Sequence, residues 1–83
     1  RNGESNMPLT DKELQVLRML VAEAQKNEKK DGWLPNVTLP VSSDERRVIC
    51  DKLLACGCLK NYECVGWNGI QCVVNLDVAN KYV

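Results

Sequence analysis

The sequence contains no histidine and no phenylalanine, and its aromatic side chains are two tryptophans and two tyrosines among 83 residues. The absence of histidine removes the commonest acid–base group of enzymes. No uninterrupted apolar stretch approaches the roughly 18 residues that a membrane-spanning helix needs, so no membrane partner is expected. With so few aromatic rings, the core must be built from leucine, valine, isoleucine, alanine and cysteine.

The chain also lacks net charge, because eleven lysines and arginines balance eleven aspartates and glutamates. A domain that binds nucleic acid mainly through its phosphates is normally basic, so this balance disfavours tight non-specific binding and leaves room only for a local basic patch. The length fits one domain with a small core. We expect a flexible lead-in over residues 1–9 and a single domain over residues 10–83.

The strongest local pattern is the dipeptide Asn68-Gly69 between two apolar runs. Both residue types tolerate positive φ, so the pattern predicts a hairpin with a two-residue type I′ turn and strands near Leu59 to Gly66 and Ile70 to Leu76. In this register Trp67 lies opposite Ile70 and packs on it. Because side chains alternate along a strand, one face carries most of the large apolar groups and is expected on the core. That face consists of Asn61, Glu63, Val65, Trp67, Ile70, Cys72, Val74 and Leu76.

The sequence contains two patterns that predict the start of a helix. Thr10 and Ser42 each precede a glutamate by three residues, which is the capping-box pattern. They predict helices from Asp11 to about Asn27 and from Ser43 to Cys56, the second ending at Gly57 in a left-handed conformation. The predicted core is Leu14, Leu17, Leu20, Val21, Ile49, Leu53, Leu54, Val65, Cys72, Val74 and Leu76.

The segments around these helices are less regular. Two prolines flank Val37 to Leu39, which is predicted as a short strand at the sheet edge. Val16 and Met19 lie beside the main apolar stripe of the first helix, and we favour a wider buried arc over a second contact surface. After the hairpin, Asp77 is predicted to cap a short third helix.

The five cysteines show no spacing typical of a secreted disulfide framework, which predicts a cytoplasmic protein with free, buried thiols. Zinc accepts four thiolates, but Cys56 and Cys58 are one residue short of the usual paired spacing. The predicted hairpin also places Cys64 and Cys72 on opposite faces. The sequence therefore predicts no metal site and no cofactor. No pair of nucleophile and base supports an enzyme or a small-molecule substrate.

The order of elements resembles the winged-helix variant of the helix-turn-helix domain. The matching residues run from Ile49 to Tyr82, where Leu53-Leu54-x-x-Gly57-x-Leu59 resembles the end of that family's recognition helix and Lys60 to Leu76 resembles its wing. The resemblance implies an α+β fold with two main helices and a two- to three-stranded antiparallel sheet. The family has a further helix between these two, and its presence between Glu28 and Val41 is left open.

The resemblance also implies a function. In that family the second long helix enters the major groove of DNA and the wing touches the backbone or the minor groove. We therefore expect a non-enzymatic DNA-binding or transcription-regulatory module with double-stranded DNA as its partner. The implied contact residues are Arg47, Lys52 and Lys60, with Trp67 and Asn68 at the tip of the wing.

The charges of the second helix keep an alternative open. Asp44 and Asp51 stand one turn from Arg47, can pair with it, and would repel phosphates. Arg46 and Arg47 equally fit an ordinary solvated face. Some winged-helix domains instead bind proteins or self-associate, and the neutral charge suits a protein partner or a homodimer. The candidate contacts for that function are Val16, Met19, Trp33, Trp67 and Ile70.

Overall fold

The protein, a computed structural model, is described over residues 8–27 and 32–83, so most of the predicted lead-in, residues 1–7, lies outside the described residues. The elements are α1 (Asp11–Lys26), β1 (Val37–Thr38), α2 (Ser43–Ala55), β2 (Leu59–Val65), β3 (Gly69–Val74) and α3 (Leu76–Ala79). The three strands form one antiparallel sheet in the order β1-β3-β2. The predicted α+β class is confirmed, and the arrangement is winged-helix-like. No helix in the described ranges is long and apolar enough to cross a membrane.

Both predicted capping boxes form. The Thr10 hydroxyl oxygen accepts a hydrogen bond from Glu13 N at 3.2 Å, and Glu13 Oε1 accepts one from Thr10 N at 2.8 Å. Ser42 and Glu45 make the same reciprocal pair at 3.2 and 3.3 Å. Each box gives partners to two backbone donors that the first helical turn would leave free, which fixes where each helix begins.

The C-terminal end of α2 is also as predicted, with Gly57 at φ +88°. The Gly57 N–H donates to Leu54 O at 3.1 Å, and the Cys58 N–H donates to Leu53 O at 2.9 Å. These are the two bonds of a Schellman motif. Because the chain enters β2 directly afterwards, β2 runs back along α2 and packs against it.

The hairpin forms, but its predicted turn and register are wrong. Val65 pairs with Gly69, and residues 66–68 form a three-residue turn. The positive φ belongs to Gly66, at +61°, and neither Asn68 nor Gly69 has one. Every pairing near the turn is therefore displaced by three residues from the predicted pairing. An odd displacement turns the other face of β2 towards the core.

The two strands of the hairpin show this consequence separately. On β3 the predicted face is correct, because Ile70, Cys72 and Val74 are fully buried. On β2 the face is reversed: Tyr62 lies opposite Cys72 and packs against the core, whereas Glu63 is exposed. The face that lies on the core was therefore predicted correctly for β3 and wrongly for β2.

The segment before α2 is extended. β1 pairs with the start of β3, and it ends one residue before the predicted Leu39. Leu39 still follows the sheet, because its N–H donates to the carbonyl of Asn68 in the turn at 2.8 Å. Residues 32–41 contain no helix, and residues 28–31 lie outside the described residues. The further helix of the family is therefore missing from the part of this segment that can be described.

The predicted core is correct for most of its members, but Leu54 is wrong, since its side chain is 40% exposed. Leu14, Val65 and Leu76 are only half-buried. Val16 is fully buried, which confirms the wider arc on α1. The segment before α2 supplies core residues that the helical pattern could not indicate, namely Leu34, Val37, Leu39 and Val41.

The chain closes with α3, whose N-cap is Asn75 and not the predicted Asp77. Asp77 lies in the first turn instead, where a carboxylate is favourable near the helix N-terminus. α3 packs on α1, with Ala79 fully buried.

β2 forms one edge of the sheet, because within the described residues it pairs with β3 alone. Its register shifts between Leu59 and Asn61, which bulges the strand at Lys60. The Asn61 side-chain oxygen accepts a hydrogen bond from the Tyr62 N–H at 2.8 Å. That N–H points away from β3 and already has a partner on its own strand.

Candidate interaction surface

One side of α2 faces away from the rest of the domain, and we call it the outer face of α2. Its residues recur three or four positions apart and therefore share one arc of the helix. Asp44 and Asp51 lie along the middle of this arc, with Val48, 65% exposed, on one side and Arg47 and Leu54 on the other. The outer face consists of Asp44, Arg47, Val48, Asp51, Leu54 and Ala55, all of which are exposed.

Arg47 is exposed on the outer face, and the predicted ion pairs with Asp44 and Asp51 do not form. It pairs with no other described residue. Asp44 lies in the first turn of α2, where the partial positive charge of the helix N-terminus favours a carboxylate. The outer face thus carries one free cation and two carboxylates.

Lys52 is turned away from the outer face towards α1. Its Nζ lies 3.0 Å from Glu13 Oε1, and the two side chains are 28% and 10% exposed. Burial raises the pKa of Glu13, but the hydrogen bond from Thr10 N and the pairing with Lys52 outweigh it, so that the pKa lies below its ordinary value. Lys52 therefore joins the two long helices and is not free to contact a phosphate.

The wing tip, residues 66–68, carries Trp67 with 84% of its surface exposed. The predicted packing of Trp67 on Ile70 is wrong, because Ile70 is fully buried and lies opposite Cys64. Asn68, beside it, is half-buried. A tryptophan in solvent contributes little to the core, and this side chain type is enriched among residues that dominate protein interfaces.

Arg46 is buried, so its interpretation as part of a solvated face is wrong. It is 7% exposed, and the two N–H groups of its Nη1 are shared among three acceptors, the carbonyl oxygens of Gly69 at 2.9 Å, Gly66 at 3.1 Å and Val65 at 3.3 Å. These carbonyls belong to both strand ends and to the turn between them. α2 and the wing tip are thereby joined by one side chain.

A second link joins α2 to β2. The Tyr62 hydroxyl donates a short hydrogen bond to Asp51 Oδ1. This hydrogen bond, together with partial burial, raises the pKa of Tyr62 to about 12. This contact fixes the position of the Asp51 side chain on the outer face.

Lys60 is exposed on β2 at the bulge and forms no ion pair with another described residue. Because β2 starts where α2 ends, Lys60 lies near the C-terminal end of α2, whereas the wing tip lies near its N-terminal half. Arg47, Lys60 and Trp67 are therefore exposed on α2, on β2 and on the wing tip, whereas Lys52 is engaged with α1.

The other candidate contacts do not join this surface. Trp33 is 47% exposed, but it precedes β1, and the next residue donates its N–H to Cys72 O across the β1 side of the sheet. Val16 is in the core and Met19 is half-buried.

A groove of about 320 Å³, lined mainly by apolar atoms, opens between the N-terminal turns of α1 and α2. Val48 lies on its wall, and Lys12 pairs with Glu45 at its rim at 2.7 Å. The apolar part of the outer face therefore continues towards α1.

The five cysteines are free thiols; four are buried as predicted, but Cys64 is exposed, so the prediction is wrong for it. Cys64 and Cys72 share one face of the hairpin, contrary to prediction, because the register is displaced. Burial raises the pKa of Cys50 and of Cys72 to about 12, which keeps both protonated and unreactive. In residues 8–27 and 32–83, no group of three or more histidine, cysteine, aspartate or glutamate side chains is arranged to hold a metal ion.

Sequence reasoning missed the role of Arg46, although a signal was present. Arg46 stands three and four positions before Ile49 and Cys50 and seven before Leu53, which are all buried. A charged residue in phase with an apolar stripe points inward and needs buried acceptors. The hairpin carbonyls that accept its hydrogen bonds could not be identified from the wrong register.

Comparison with protein-family models, with curated proteins and with solved structures finds no match to this chain.

Proposed function

We propose that this chain is a non-enzymatic, winged-helix-like protein-interaction module that self-associates through the outer face of α2 and the wing tip. The observation that carries the proposal is the composition of that face, where exposed Val48 and Leu54 flank a row of one arginine and two aspartates. Apolar side chains beside charges of both signs suit a protein contact better than a phosphate backbone. The free thiols fit a reducing compartment, so the proposal places the module in the cytoplasm.

The charges of the outer face complement a second copy. Arg47 and Asp51 are one helical turn apart, so two α2 helices packed antiparallel about a twofold axis set each Arg47 level with Asp51 of the other copy. The same pairing brings each wing tip beside the C-terminal half of the other α2, which carries Leu54. Because the net charge is zero, the two copies do not repel each other overall.

Sedimentation of the full chain from roughly 1 µM to 1 mM tests the proposal, since this range spans the dissociation of weak dimers. We expect a dissociation constant of roughly 10–100 µM, because one helix face and a wing tip form an interface at the small end of the usual range. Either Arg47→Asp or Asp51→Arg alone is expected to raise the dissociation constant at least tenfold, because positions 47 and 51 of the two copies then carry like charges that repel each other. An equimolar mixture of the two variants should associate again, since each then meets the opposite charge.

Arg18→Asp is the matched control, because it makes the same change of charge at an exposed position on α1 and should leave association unchanged. Circular dichroism of each variant checks that the fold is retained. A monomer throughout the concentration range, or a mixture that stays monomeric, would contradict the proposal.

Duplex DNA is the second candidate partner. It is favoured by the exposure of Arg47 and Lys60, neither of which forms an ion pair with a described residue. It ranks second because Lys52 is engaged with Glu13 and Arg46 with the wing tip.

A gel-shift assay with a generic DNA duplex tests whether the chain binds DNA. Two phosphate contacts predict retention at low salt with a slope of about −2 in the logarithm of affinity against the logarithm of salt concentration. Arg47→Ala and Lys60→Ala should each reduce the slope by about 1, and Arg18→Ala should not. Absence of retention at about 50 mM salt would exclude it. The mixed charge variants separate the two functions, because mixing restores self-association and cannot restore binding to DNA.

A further inference from the structure

The three hydrogen bonds of Arg46 converge on the wing tip from one nitrogen atom. Nη1 lies within 3.3 Å of the carbonyl oxygens of Val65, Gly66 and Gly69, which are the last residue of β2, the first of the turn and the first of β3. A single side chain of α2 therefore contacts both ends of the turn that presents Trp67.

A contribution to stability alone does not explain this arrangement, because burying the Arg46 side chain here has free-energy costs. Arg46 is a buried cation near the N-terminus of a helix, where the helix dipole disfavours positive charge. Its Nε is buried without a hydrogen-bond partner in the described chain. An apolar side chain of similar length would fill the same space without these costs. What an apolar side chain cannot do is bond three carbonyls at once and so fix their mutual geometry.

We propose that Arg46 is a positioning residue that fixes the wing tip against α2, so that Trp67 is held in one orientation beside the outer face. Its effect on association rests on the proposed function, whereas its effect on the order of the wing tip does not. In the absence of the guanidinium, the turn keeps its strand pairing and the bond from Leu39 N to Asn68 O, but loses its attachment to α2. The tip must then be ordered again each time a partner binds.

The test compares backbone amide order parameters of residues 66–68, from ¹⁵N relaxation of the full chain, with those of Arg46→Met and Arg46→Lys. We expect values near 0.85 in the native chain and below about 0.6 in Arg46→Met. Lysine should give intermediate values, because its ammonium carries three donors but its side chain is one atom shorter than the path to Nη1. The same variants should weaken self-association in sedimentation about tenfold, as ordering one turn and one aromatic side chain requires.

Leu17→Val is the matched control, because it lowers stability from a fully buried position on α1 and leaves the hydrogen bonds between Arg46 and the wing tip in place. If the role of Arg46 were purely structural, Arg46→Met and Leu17→Val would both lower stability, and both would leave the order parameters of residues 66–68 unchanged. Values near 0.85 in Arg46→Met would overturn the inference. If that variant does not fold, values near 0.85 in Arg46→Lys would do so equally.

Trp67→Ala separates this inference from the proposed function. If it leaves self-association unchanged, the wing tip is not part of the interface, and the proposed function is wrong in that respect. The order parameters still decide whether Arg46 fixes the wing tip. If the tip loses order in the Arg46 variants and self-association stays at full strength, the positioning role in binding is overturned.

Discussion

Replacing Lys52 with methionine is expected to lower the free energy of unfolding by about 2 kcal/mol at pH 7. The substitution keeps an apolar stem and removes the ammonium that lies 3.0 Å from the Glu13 carboxylate, whose side chain is only 10% exposed. The expected loss exceeds the ~0–1 kcal/mol of an exposed pair, because the remaining charge is poorly solvated. It falls short of the ~3–5 kcal/mol of a fully buried pair, because Lys52 is 28% exposed. Urea denaturation of both proteins measures it.

The same variant should change how stability depends on pH. The pKa of Glu13 in the folded protein lies below its ordinary value of 4.5, so its contribution is complete above that pH and is lost as the pH falls through the folded pKa. In Lys52→Met the effect of burial is less opposed, and the pKa of Glu13 should rise. The two proteins should therefore converge in stability towards about pH 3.

Lys12→Met provides the control for this pair, because it removes the partner of Glu45 at a site where both side chains are about half exposed. Its effect at pH 7 should be much smaller than that of Lys52→Met. A stability difference between the native chain and Lys52→Met that persisted undiminished at acid pH would show that lost packing, and not charge, is responsible.

Replacing Gly69 with alanine is expected to cost about 2 kcal/mol, although this glycine does not have a positive φ. A methyl group there would lie 2.9 Å from the carbonyl oxygen of Val65 and closer still to the side-chain oxygen of Asn36. The Asn36 side chain can move, but the backbone oxygen opposite is held in the hairpin. The strands must therefore separate locally, and the carbonyl of Gly69 shifts away from Arg46.

Gly66→Ala gives the contrasting control in the same turn. Its φ is +61°, yet nothing lies within 4 Å of an added methyl group, so the cost is the backbone strain of about 1 kcal/mol. Thermal unfolding should resolve the two variants, since 1 kcal/mol shifts the midpoint by roughly 4–8 °C in a domain of this size. A larger loss for Gly66→Ala than for Gly69→Ala would show that the conformation of the turn, and not the close approach at Gly69, limits the hairpin.

The parts of the fold that follow from the sequence are those determined by neighbours along the chain. Thr10, Ser42 and Gly57 define helix ends through bonds that span three to five residues, and each was predicted correctly. The hairpin register depends on which glycine takes the left-handed conformation, and two were available. Asn68-Gly69 has the stronger statistical preference, but Gly66 takes this conformation, and Gly69 is needed for a contact with a residue 33 positions earlier.

The candidate surface was less predictable because it depends on what covers α2. The helical period correctly placed Ile49 and Leu53 inside, but it could not show that Leu54 is left uncovered on the side next to β2. The helical period distinguishes Arg46, which is in phase with the buried stripe, from Arg47, which is not. The partners of Arg46 and Lys52, however, depend on where the wing tip and α1 lie, which is a property of tertiary packing.

The hydrogen bond between the Asn61 side chain and the Tyr62 N–H hinders the addition of a further strand at the β2 edge of the sheet. A neighbouring chain that added a fourth strand beside β2 would have to displace the Asn61 side chain before it could bond to the Tyr62 N–H, and it would meet the irregular backbone at Lys60 two residues earlier. Stepwise stacking of chains into fibres is disfavoured at this margin.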